Sequence, residues 1–75
     1  MTNKLKWIDS EELALALLKK YPDVDPLAVR FADLRQWVCA LEEFGDDPKK
    51  SNEAKLEAVQ MSWDEARREN REMEN

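Results

Sequence analysis

An all-α domain of three to four helices is what this sequence predicts, on three observations. Apolar residues recur at helical spacing in three stretches: Leu13/Leu17/Leu18, Leu34/Trp37/Val38/Leu41/Phe44 and Leu56/Val59/Trp63. Each stretch opens near an Asp, Ser or Asn, and the first two are closed by Pro or Gly. No segment alternates apolar and polar residues beyond a few positions, so no strand of ordinary length is expected. A chain of 75 residues makes one thin domain. Such a chain buries only ~60–65% of the surface its unfolded form exposes, so its core is a single cluster.

The elements follow in order. Residues Asn3 to Ile8 are mixed; Leu5, Trp7 and Ile8 read as an apolar cover on the first helix, with a vestigial strand as the alternative. Asp9-Ser10-Glu11-Glu12 is a helix start, with Asp9 or Ser10 positioned to accept from first-turn N–H groups and the glutamates complementing the positive end of the dipole. Lys19-Lys20 suit the opposite end, and Tyr21-Pro22 stops the helix, because the residue before Pro is steered out of α geometry. The first helix is expected over residues 10–20. Asp25-Pro26 is a second start, an N-cap followed by a residue with no N–H to leave unsatisfied, and it leads into a turn or two. Asp33 reads as a further cap, with Gln36 at capping-box spacing. The strongest amphipathic stripe then runs from Leu34 to Phe44, with Gly45 as a left-handed terminator and Pro48 barring continuation. Ser51-Asn52-Glu53 restarts a helix bearing Leu56, Val59 and Trp63. Residues 1–66 are expected to form the domain. Residues 67–75 read as a charged tail, either a helical extension or disordered.

Composition narrows the function. Twelve basic and 17 acidic residues with no His leave a net charge of −5. That balance disfavours phosphate backbones and anionic lipid, and favours basic protein surfaces or cations. One Cys permits no internal disulfide and fits a reducing compartment. The N-terminal residues lack the apolar run of a signal peptide and no stretch is long enough to span a membrane, so a soluble, cytoplasmic protein is expected. Without His, the usual zinc and hydrolase constellations are missing, and no nucleophile–base pair can be assembled; the expected protein is not an enzyme.

Four constellations were candidates for a site. Glu42, Glu43, Asp46 and Asp47 crowd around Phe44-Gly45, and between Tyr21 and Asp47 seven acids face two bases, Arg30 and Arg35. Clustered carboxylates are the ligand type that hard cations prefer, but no EF-hand spacing is present. Spacing alone leaves open a solvated acidic face, a protein-docking face or a weak cation site. Cys39 sits among apolar and acidic neighbours, which favour a small core residue over a reactive thiolate. Trp7, Trp37 and Trp63 each fall on an apolar face, so they are expected in the core rather than as a base-stacking platform. A helix-turn-helix reading would give Arg35 and Gln36 to bases, but Glu42 and Glu43 on the same segment would repel phosphates; no nucleic acid is expected.

Several motifs occur together: K-W at Lys6-Trp7, D-S at Asp9-Ser10, Y-P-D-x-D-P at Tyr21–Pro26 and V-R-F-x-D at Val29–Asp33. They continue with Q-W-V-C at Gln36–Cys39, L-E-x-F at Leu41–Phe44, D-D-P at Asp46–Pro48 and S-N-E at Ser51–Glu53. In this order, from about Leu5 to Ala66, the chain closely resembles the IscX (YfhJ) family of bacterial iron–sulfur cluster assembly. The resemblance implies a modified winged-helix-like arrangement and no enzymatic activity. It also implies docking on the cysteine desulfurase IscS at or near the frataxin site, hence competition with frataxin. Weak iron(II) or iron(III) binding by exposed carboxylates is implied too, with no tightly bound cofactor. The family's acids fall here on Asp23, Asp25, Asp33, Glu42, Glu43, Asp46 and Asp47. On this basis the partner-binding residues are expected to be Asp33, Arg35, Glu42, Glu43, Asp46 and Asp47. Any iron is expected at Glu42, Glu43, Asp46 and Asp47. An adaptor of the desulfurase is the leading reading and an iron donor the alternative. Ala40 and Gly45 stand where some relatives are expected to carry further acids, which weakens iron binding more than docking. The tail bearing Arg67, Arg68 and Arg71 is longer than the family implies, and its salt-rich pattern argues for a monomer.

Overall fold

The structure is a computed structural model describing residues 4–73, with side chains described for residues 4–70. Its helices are α1 (Ser10–Lys20), α2 (Phe31–Cys39) and α3 (Glu53–Met73), with single 3-10 turns at Pro26–Ala28 and Pro48–Lys50. It is all-helical, and α1 packs most extensively against α3. Leu13, Ala14 and Leu17 from α1, Leu34 and Val38 from α2, and Leu56, Val59 and Trp63 from α3 form one core, closed by Trp7 and Leu41. The helical spacings therefore pick out the buried face on all three helices.

α1 has the predicted bounds, but its predicted side-chain cap is absent. Asp9 occupies the N-cap position without capping. Its Oδ2 instead accepts from the backbone N–H of Lys6 (2.9 Å), tightening the turn that enters the helix. The Asp25-Pro26 start forms as expected, with Asp25 Oδ1 accepting from Leu27 N–H (3.1 Å). Gln60 on α3 donates to the carbonyls of Pro26 (2.9 Å) and Val29 (3.3 Å), which pins this turn to the third helix. Asn52 caps α3, its Oδ1 accepting from Lys55 N–H (2.8 Å). The predicted tail continues as helix to Met73, and its last two residues lie outside the described residues.

The middle segment differs from expectation at three points. α2 begins at Phe31, so Asp33 lies inside its first turn and is not an N-cap. α2 also ends at Cys39, not at Phe44. Beyond it, Leu41 N–H bonds to Val38 O (3.1 Å) and Phe44 N–H to Leu41 O (3.2 Å), two tight turns in place of an α ladder. Steps of three residues keep Val38, Leu41 and Phe44 on one side in either geometry, so the stripe survives where the helix does not. Gly45 has no left-handed backbone. It is needed for close approach instead: a Cβ there would overlap the Cβ and Cγ of Lys4.

The vestigial strand reduces to one parallel bridge between Leu5 and Phe44. Leu5 N–H bonds to Glu43 O (2.7 Å) and Gly45 N–H to Leu5 O (2.9 Å). Trp7 is buried and Leu5 half-buried, so the N-terminal segment is mainly the apolar cover that composition suggested.

Candidate functional site

Glu42, Glu43, Asp46 and Asp47 sit on a short irregular segment between α2 and the second 3-10 turn, and the N-terminal segment clasps it. Trp7 is the centre of the clasp. Its backbone N–H donates to Asp46 Oδ2 (3.2 Å) and its indole N–H to Asp47 O (2.8 Å). Its ring meets Phe44 edge-on, with centroids 4.8 Å apart. Lys4 Nζ donates to the backbone carbonyl of Glu42 (2.6 Å).

Asp46 and Asp47 therefore do structural work. Asp46 Oδ1 accepts from Asp47 N–H (2.7 Å) while Oδ2 holds Trp7. Asp47 Oδ1 accepts from Lys49 N–H (2.9 Å), an Asp before Pro48 that caps its 3-10 turn as Asp25 does before Pro26. The N–H bonds from Asp47 and Trp7 hold the Asp46 carboxyl below its ordinary value, and the charges of Lys50 and Lys6 add to this.

Glu42 and Glu43 are different. Both are exposed, and their carboxylates accept no hydrogen bond and join no ion pair among the described residues. They border a shallow groove of about 310 Å³ with Ala16, Leu41, Lys19 and Lys20. The groove is thus of mixed sign, two glutamates with a lysine pair beside them, a juxtaposition that sequence separation hid. Asp33 and Arg35 are also exposed, on α2. Among the described residues no hydrogen bond or ion pair links them to the Glu42–Asp47 segment.

The donor set does not converge on a cation. Among the described residues no three Asp, Glu or Cys side chains are grouped to hold a metal ion. With both oxygens of Asp46 and one of Asp47 committed to backbone N–H groups, Glu42 and Glu43 are the uncommitted carboxylates. Cys39 is half-buried, and burial raises its thiol pKa against the lowering charge of Arg35. Trp37 stacks on Tyr21 (4.6 Å) and meets Trp63 edge-on (6.2 Å), so the aromatic residues are engaged with one another. No helix of the described residues is long and apolar enough to cross a membrane.

The Trp7 clasp escaped the sequence reading, although two signals pointed to it. A buried tryptophan usually finds an acceptor for its indole N–H, as Trp7 does and Trp63 does not. The Asp-Pro pair that marks a turn at Asp25-Pro26 recurs at Asp47-Pro48.

Comparison with known proteins places the whole arrangement. A family model described as iron–sulphur cluster assembly matches residues 5–68. The uncharacterized protein PA3808 of Pseudomonas aeruginosa is 52% identical over 63 residues, which cover 84% of this chain and 96% of that protein.

Proposed function

Since the chain belongs to the IscX (YfhJ) family of iron–sulfur cluster assembly, we propose that it acts there as a non-catalytic adaptor. It docks on the cysteine desulfurase IscS through the exposed Glu42–Glu43 pair, near the site frataxin uses, and tunes sulfur delivery. The observation that carries this reading is the division of labour among the four acids. Asp46 and Asp47 are committed to the clasp that fixes the segment, which leaves Glu42 and Glu43 presented on it with uncommitted carboxylates. Preplaced, exposed charges steer association with a basic surface and lose force as salt rises. Asp33 and Arg35 serve at the edge of the contact. The alternative, a weak iron donor built on Glu42, Glu43, Asp46 and Asp47, gains less support, because the structural bonds of two of its four acids compete with metal ligation.

Calorimetric titration into IscS at low and moderate salt, without iron, tests the docking. Wild-type binding should weaken as salt rises. The Glu42→Lys/Glu43→Lys variant should lose about tenfold or more in affinity, since reversed charges then oppose the basic surface. Its helical circular dichroism should not change. Undiminished binding by that variant would sink the assignment. Iron binding lost in the same variant, with docking intact, would move the function to the donor reading.

A further inference from the structure

We infer that the groove between α1 and α3 is a second docking surface, and that its partner is a basic amphipathic helix with an aliphatic side chain set between lysines or arginines. The groove is open, about 290 Å³, and is lined by Glu11 and Leu15 of α1 and by Ser62, Glu65, Ala66 and Glu69 of α3. Two features separate it from the ordinary surface of a small helical protein.

The first is its apolar floor. Leu13 and Leu17 are buried in the core, whereas Leu15 lies off that stripe and is 57% exposed. Ser62 and Ala66, one turn apart on α3, are small, so nothing on the opposite wall covers Leu15. Ile8, 77% exposed, extends the apolar character past the start of α1, where it shares a second shallow depression with Glu11 and Glu12.

The second is a rim of one sign. Glu11, Glu65 and Glu69 line the groove, with no lysine or arginine lining it among the described residues. The described base best spaced on α3 to neutralise Glu65 is Arg68, three residues on, and it pairs with Asp64 at 2.7 Å. An exposed leucine beneath an acidic rim complements a side chain such as leucine flanked by cationic residues, and opposes anionic lipid and nucleic acid. A cleft between two packed helices accepts a third helix by ridge-into-groove packing, which favours a helical partner over an extended one. Glu69 lies just beyond the family-matched residues 5–68 and lines the groove with Glu65. The surface is separate from the Glu42–Glu43 pair, and the inference does not depend on the desulfurase.

A fluorescein-labelled amphipathic peptide of Lys, Ala and Leu, with Leu along one helical face, tests it by fluorescence anisotropy against the full chain. Two control peptides replace either every Leu by Ser or every Lys by Glu. The Lys/Leu peptide should bind in a salt-sensitive way, and both controls should bind about tenfold or more weakly. Leu15→Ser and Glu65→Lys/Glu69→Lys, all at exposed positions, should lower affinity comparably with circular dichroism unchanged. Glu42→Lys/Glu43→Lys should bind the peptide as wild type does, so failure here and failure of desulfurase docking remain distinct. Absence of binding overturns the inference. So does equal binding of the Leu-to-Ser control, which would mark attraction by net charge alone. Concentration-dependent dimerisation in sedimentation that Leu15→Ser abolishes would overturn it in favour of a second copy of the chain.

Discussion

The α1–α3 pair and the clasp between residues 4–7 and 42–47 are held by different physics. Along the helix pair, Leu13, Leu17, Val59 and Trp63 are fully buried, and the driving force is apolar area removed from water. At the clasp, one parallel bridge, the Asp46 carboxylate and the Trp7 indole join the N-terminal segment to residues 42–47 mostly by polar bonds. Each such bond contributes only about 1 kcal/mol net, and the groups stay partly accessible to water. The acids proposed for docking are therefore positioned by a weaker structure than the one that maintains the fold. Fold and docking should then be separable by mutation.

The largest effect should come from the strong side. Leu17→Ala removes a fully buried side chain from the α1–α3 core and should cost about 2–5 kcal/mol, from the lost transfer energy and the cavity left behind. A total stability of about 5–15 kcal/mol makes that a large fraction, visible as a lowered urea midpoint and a lower melting temperature. A loss well under 1 kcal/mol would mean that this interface does not organise the fold, and the comparison would collapse.

A smaller effect should come from Gly45→Ala. The added Cβ collides with the Cβ and Cγ of Lys4, close to the backbone and not at the yielding end of a side chain. The N-terminal segment must shift, straining the bonds between Leu5 and residues 43 and 45, at about 1–3 kcal/mol. Hydrogen exchange should quicken at the Leu5 amide while the amides of α1 and α3 keep their protection. Equal acceleration in all three places would show one cooperative unit, with no separable clasp.

The same contrast explains what was legible in the sequence. Burial on α1 and α3 follows from period: Leu13, Leu17, Leu56, Val59 and Trp63 are spaced as a helix requires, and apolar burial needs no other information. The cap at Asp25-Pro26 and the helix start at Ser51-Asn52-Glu53 were legible because both signals are local. The region after Cys39 was not. Its apolar residues step by three, a spacing shared by α and tighter turns, so period could not place the end of α2. Glycine at position 45 serves an approach by Lys4, 41 residues earlier in the chain, and no local rule reports such a contact. The acids at 42–47 were visible as a cluster, but their division into clasp and surface depends on Trp7 and on Lys19 and Lys20, which only folding brings near.

The smallest effect should appear in the pH response of the clasp. Bonds from the N–H groups of Asp47 and Trp7 favour the charged form of Asp46, so its folded pKa lies below the ordinary 3.8. A lowered folded pKa means that this carboxylate stabilises the clasp above the unfolded value, and that the contribution disappears as pH falls through the folded one. Acidification should therefore shift the backbone amide resonances of Trp7 and Asp47 in a single step centred below the ordinary aspartate value, while resonances of Leu17 and Val59 hold their positions. In Asp46→Asn the carboxylate is gone, so that step should vanish from the Trp7 amide even though other acids still titrate. Persistence of the step in Asp46→Asn would trace it to general charging of the protein. Movement of the α1 and α3 core resonances in the same step would show that the clasp and the helix pair melt together.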